Sequence, residues 1–185
     1  MCPTYADSFD NAELDAGWIQ TQPESISVSD EGLNLIATVQ TGDFVSVRRD
    51  GLDLNTATVT FELGTAPTSD STQLLLNAFN PNNARILMIV QNDTIVMRRS
   101  DGTEPLYEIA STPLDPVAHQ WLRFDIQAPT VLLQASADGN EWTTLHTETI
   151  DYDYAASSVG ASVSNFAALK QPETVTLASF ELCLE

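Results

Sequence analysis

The chain of 185 residues carries 26 Asp and Glu against 7 Lys and Arg, a formal net charge of −19. A field of that sign repels phosphate backbones and anionic headgroups, so nucleic acid is excluded as a partner. No run approaches the roughly 20 apolar residues that a membrane helix needs, so no membrane insertion is expected, and the length suits one domain over residues 1–185.

Met1 is followed by neither a basic n-region nor an apolar h-region, so the chain is expected either not to use the secretory route or to have its signal outside this sequence. Lys170 is the one lysine, while Asp and Thr are plentiful, a balance that suits a high-salt or extracellular setting or a GC-rich genome; the expected location is extracellular or in a virion. Cys2 and Cys183 lie near the two ends. Two cysteines exclude a four-cysteine zinc site and leave either one bridge or two free thiols.

Along the chain the apolar residues alternate with period two, and turn signals recur about every 8 to 12 residues, as in an all-β sandwich or barrel. Strands are expected at 5–9, 25–28, 33–38, 44–49, 57–63, 73–79, 85–91, 94–99, 106–110, 120–127, 130–136, 143–147, 158–163 and 175–184. Such a number of strands exceeds an immunoglobulin domain and fits two larger antiparallel sheets. Turns are expected at Gln91 to Thr94 and at the Asp-Gly steps of "RDG", "SDG" and "ADG", where Asn, Asp and Gly tolerate positive φ. Asn92-Asp93-Thr94 is also a glycosylation sequon.

Two hairpins specify which side chains face inward. Reversal at Ala128-Pro129 sets Phe124 opposite Leu133 and Leu122 opposite Ala135. Leu122, Phe124, Ile126, Val131, Leu133 and Ala135 then form the core face, with Trp121, Arg123, Asp125, Leu132, Gln134 and Ser136 behind it. In the hairpin around Asn92-Asp93, Ile86, Met88, Val90, Ile95 and Met97 face inward, with Arg85, Leu87, Ile89, Val96 and Arg98 behind. That second outer face is too apolar to be merely solvated, so it is either covered or binds something.

The opening "DSFDNAELDAGW", then "HQWLRF", "SADGNEWTTL" and the closing "TVTLASFEL" resemble the concanavalin A-like jelly-roll domains of bacterial extracellular and phage proteins, the fold of the laminin-G and glucanase type. The resemblance implies two curved antiparallel sheets with the first and last strands adjacent, which would bring Cys2 near Cys183. It does not imply one activity, because the fold hosts lectins, glycanases, adhesion modules and virion proteins. Laminarinase-type glycanases of the fold carry Glu-x-Asp-x-x-Glu on one strand, two carboxylates about 5 to 5.5 Å apart for retaining hydrolysis. The nearest match here, Glu13 to Trp18, has Trp18 in place of the second Glu. The expectation is therefore that the chain is not an enzyme.

Other chemistry is also sparse. His119 and His146 lack a nucleophile elbow and a third zinc ligand. No metal is expected, although Asp7, Asp10, Glu13 and Asp15 would supply oxygens to a structural calcium. "SADGNEW" (136–142) misses the Ser-x-Asp-x-Gly-x-x-Trp spacing of an Asp-box and is read as a turn, with Trp142 packing where the next strand begins. Four of the arginines form the pairs Arg48-Arg49 and Arg98-Arg99. Either these neutralise neighbouring carboxylates, or Arg48, Arg85, Arg98 and Arg123 share a sheet face with Trp121, hydrogen-bonding hydroxyls or carboxylates while the indole stacks on a sugar. The expected function is a non-catalytic module binding carbohydrate or another cell-surface polymer. The alternative is a structural subunit of an assembly such as a phage capsid, fibre or tail, with neighbouring subunits as its partners.

Overall fold

The computed structural model describes residues 4–11 and 13–184. It consists of two antiparallel sheets packed face to face. The first sheet runs β13 (Thr143–Thr149), β12 (Thr130–Ser136), β11 (Trp121–Gln127), β6 (Thr56–Thr65), β15 (Glu173–Leu184), β4 (Gly32–Ala37) and β3 (Ile26–Ser29), with β1 (Tyr5–Asp7) also paired to β15. The second runs β10 (Tyr107–Pro113), β9 (Thr94–Ser100), β8 (Arg85–Gln91), β7 (Thr72–Phe79), β14 (Ser157–Asn165), β5 (Phe44–Leu52) and β2 (Ile19–Thr21).

Both hairpins have the register expected from their alternation. Phe124 lies opposite Leu133 and Leu122 opposite Ala135, while Met88 lies opposite Met97 and Val90 opposite Ile95. All of the inward residues named for them are buried in the main core. Phe61 centres an aromatic group there, 5.3 Å from the Phe180 ring and 6.5 Å from that of Phe124, with Trp18 5.0 Å from Phe180. Edge-to-face contacts of this kind add to area burial because one ring presents its positive edge to the negative face of the other.

The apolar outer face of β8 and β9 is covered by the chain itself. Leu87, Ile89 and Val96 form a second, smaller cluster against which Leu75 and Leu106 pack. Asn92 and Asp93 both take positive φ at the tip of the hairpin, as the turn requires. "RDG" does not turn the chain. β5 continues through Asp50 and Gly51 to Leu52, and a register shift against β14 absorbs Gly51 with its φ of 75°. β2 was not expected either, because its three residues at a sheet edge are too few to display a period.

The chain ends meet as the family resemblance implies: Tyr5 lies opposite Leu182 and Asp7 opposite Phe180. Cys2, and with it the candidate bridge to Cys183, lies outside the described residues; Cys183 is opposite Thr58 of β6.

Candidate functional site

The residues expected to share one face are divided between the two outer faces of the sandwich. Arg48 on β5, Arg85 on β8 and Arg98 on β9 belong to the second sheet, whereas Trp121 and Arg123 lie on β11 of the first. The physical reason is connectivity, since nothing in a hairpin's local alternation states which sheet the hairpin joins.

Alternation also divides each arginine pair. In β5 and β9 the second arginine continues the inward series and closes a corner between the sheets. The Arg49 guanidinium stands 3.3 Å over the Tyr5 ring and 3.4 Å from Asp15. Arg99 donates to Glu148 at 2.8 Å and to the Thr149 carbonyl oxygen at 2.8 Å, tying β9 to β13. Of the outward arginines, Arg48 donates to Asp50 at 2.9 Å. Arg85 and Arg98 make no hydrogen bond or ion pair among the described residues, and the Nε atoms of both are buried without a partner. The carboxylate-pairing reading thus holds for Arg48, Arg49 and Arg99 and fails for Arg98.

Over the first sheet lies a cleft of about 410 Å³ lined by Thr58, Thr60, Trp121, Arg123, Asp138, Gly139, Asn140, Trp142, Glu181 and Cys183. Its floor follows directly from register. Thr144, Gln134, Arg123, Thr60 and Glu181 lie side by side on β13, β12, β11, β6 and β15. Arg123 donates through Nε to Gln134 Oε1 at 2.7 Å, and Gln134 Nε2 donates to Thr144 Oγ1 at 3.0 Å. The Arg123 guanidinium lies 4.0 Å from the centre of the Trp142 ring, a cation–π contact that holds both planes. Burial pulls the Arg123 pKa down, opposed by the nearby charge of Asp125.

The wall of the cleft is the 136–142 turn. Ser136 Oγ accepts from the Asp138 and Gly139 amides at 3.2 and 3.0 Å, and Asp138 Oδ1 accepts from the Asn140 and Glu141 amides at 2.9 and 3.0 Å. These amide bonds, with the Ser136 hydroxyl, hold the Asp138 carboxyl below its usual range. Gly139, at φ 74°, lies flat on Trp121: a Cβ there would stand 3.2 Å from the indole. Trp142 Nε1 donates to the Gly139 carbonyl oxygen at 3.1 Å. Each indole is thus backed on one side while both line the cleft. The stretch does turn the chain, as expected, but it also builds one wall of the cleft. The missed residues Asp138, Asn140 and Trp142 were within reach of the hairpin register, since Trp142 lies two residues before Thr144, which is opposite Gln134.

A larger groove of about 660 Å³ runs between the 65–71 and 168–174 segments, but no aromatic residue lines it. Two of the calcium candidates are otherwise engaged. Asp7 accepts from the Tyr5 hydroxyl, the Trp18 indole and the Phe9 amide, and Asp15 accepts from the Gly17 amide. Asp10 and Glu13 are exposed, and no group of three His, Cys, Asp or Glu able to hold a metal occurs among the described residues. His146 lies 3.0 Å from Glu148, and His119 Nδ1 accepts from the Asp115 amide at 3.1 Å.

No family model and no curated protein matches the chain. Solved structures do. A xylan β-1,4-xylosidase from Bacillus halodurans C-125 matches with a TM-score of 0.71 at 16% identity, over 100% of this chain and 40% of that one. The laminarinase from Rhodothermus marinus matches at 0.73 and 8% identity, covering 97% of this chain and 95% of its own. The CBM2 module of the evolved Dit of Lactobacillus casei BL23 phage J-1 matches at 0.69 and 9%, covering 96% and 93%. The chain therefore spans about two fifths of the xylosidase and nearly all of the other two. At these identities the likeness is one of fold, and the fold is the concanavalin A-like jelly roll. The same comparison corrects the expectation that the chain is not an enzyme. Glycoside hydrolases are among its structural neighbours, so a missing Glu-x-Asp-x-x-Glu does not exclude catalysis.

Proposed function

We propose that the protein binds a glycan in the cleft over the first sheet, with Trp121 and Trp142 as stacking platforms and the floor as the hydrogen-bonding surface. The observation that carries this reading is the pair of backed indoles beside a continuous row of polar groups. A sugar ring has an apolar face bordered by hydroxyls, so it needs a flat aromatic surface with donors and acceptors at its edge. Arg123 is a donor whose position is held by Gln134 and Trp142, and Thr60 and Glu181 lie beside it on the floor. Ordering these groups before binding lowers the entropy lost on association. The glycan-acting and carbohydrate-module neighbours make such a ligand the natural first test.

The test is a glycan array with soluble laminarin and xylan titrations, in which Trp121→Ala and Trp142→Ala should each weaken binding by roughly tenfold or more. Reducing-end release on the same substrates measures hydrolysis in parallel. Absence of binding across the array and insoluble polysaccharides, or unchanged affinity in both variants, would refute the assignment.

A further inference from the structure

The outer face of the second sheet contains a separate small cavity of about 170 Å³, lined by Phe44, Leu75, Asn77, Phe79, Asn83, Arg85, Leu87 and Ser162. It is lined by the adjacent strands β5, β14, β7 and β8, and β9 borders it. Ser162 on β14 lies opposite Leu75 on β7, Asn77 opposite Leu87 on β8, Phe79 opposite Arg85, and Leu87 opposite Arg98 on β9.

Two arginines, one lining this cavity and one beside it, are unusual in so acidic a chain. Arg85 has no hydrogen-bond or ion-pair partner among the described residues, although acidic side chains outnumber basic ones 26 to 7. Arg98, diagonally across the strand pair, is likewise unpartnered; Glu108 lies opposite it on β10 without forming an ion pair. A guanidinium that is partly buried and has no carboxylate to neutralise it costs free energy unless something completes it. Asp50, the other carboxylate placed on this face, is already bonded to Arg48.

We propose that this cavity is a second binding site, specific for the carboxylate of an acidic sugar ring, with Arg85 receiving the carboxylate and Asn77 meeting a ring hydroxyl. The planar guanidinium fork matches a carboxylate in two parallel hydrogen bonds. Phe79 and the half-exposed Phe44 supply apolar flanks for the ring, and the volume is on the scale of a single sugar unit. A single-charge carboxylate also suits this molecule better than phosphate or clustered sulfates, since the field of a −19 protein opposes each added negative charge. The site shares no residue with the cleft over the first sheet and stands whether or not that cleft binds a glycan.

The experiment is calorimetric titration of the intact protein with oligomers of galacturonate, guluronate and mannuronate. Methyl-esterified oligogalacturonate, dextran sulfate and inorganic phosphate serve as competitors. At least one oligouronate should bind, and Arg85→Gln should weaken it by roughly tenfold or more. Esterification should cause a comparable loss on the unaltered protein, which tests the carboxylate without depending on any variant's folding. Failure of every oligouronate to bind, equal binding of the ester, or indifference to Arg85→Gln would each overturn the proposal. Equal competition by dextran sulfate or phosphate would overturn the carboxylate assignment in favour of a general anion site.

Discussion

Gly160 shows how a single position can be decided by its neighbours across a sheet. It lies on the central strand β14, between Arg48 of β5 and Asn77 of β7, and a Cβ there would overlap the Val47 carbonyl oxygen and press on the Arg48 Cα at 2.8 Å. Those are backbone atoms of a paired strand, so relief requires moving β5 itself. Gly160→Ala should therefore destabilise the fold by about 1–3 kcal/mol or more. A urea melt tests this; an unchanged midpoint at unchanged slope would show that the strands can part without cost. Nothing in "SSVGASV" marks this glycine, because its constraint is imposed by a strand more than a hundred residues earlier. The inward residues of the β11–β12 hairpin, by contrast, were legible, because alternation and the turn at Ala128-Pro129 are both local.

Among the elements, the 136–142 turn carries the cleft, and its order depends on one exposed carboxylate. Asp138 accepts two amide bonds and the Ser136 hydroxyl bond, all of which favour its charged form and lower its pKa. A group whose pKa is lower in the ordered loop contributes fully above its free value, near 3.9, and loses its contribution as pH falls through the lowered value. Glycan affinity in the cleft should accordingly hold from neutral pH down to about 4 and decline below it. Titrations between pH 3 and 7 with Asp138→Asn as reference test this, since the variant should lack the acid-limb decline attributable to the carboxylate. A decline centred near pH 6 would point to a histidine instead. The loop was legible as a turn from its Asp-Gly step, but its place in the cleft was not, since that needs Trp121 beneath Gly139 and Arg123 beside Trp142.

At the scale of the whole molecule, charge opposes compaction. With 26 acidic residues against 7 basic ones, the exposed carboxylates repel one another more closely in the folded state than in the chain's expanded states. The sheet-bridging arginines offset this only locally, Arg49 beside Asp15 and Arg99 beside Glu148 and Asp151. Raising NaCl from about 0.01 M to 0.15 M shortens the screening length from roughly 30 to 8 Å. The melting temperature should rise by about 2–4 °C for each kcal/mol of repulsion removed. Differential scanning calorimetry at the two salt levels measures it, and a fall on adding salt would mean that the ion pairs outweigh the net repulsion.

What the amino-acid order determined by itself was the local part: strands of period two, turns at Asn92-Asp93 and Ala128-Pro129, the register within each hairpin and so the membership of the core. These follow from interactions between residues close in sequence, for which side-chain alternation and turn chemistry suffice. Only the tertiary structure decided which hairpin joined which sheet. It set β11 beside β6, which pairs in turn with β15, and β8 beside β7, thereby placing Trp121 and Arg123 on one outer face and Arg48, Arg85 and Arg98 on the other. Long-range pairing depends on how the two sheets together bury Phe61, Phe124 and Phe180, a packing condition to which no short stretch of the chain corresponds.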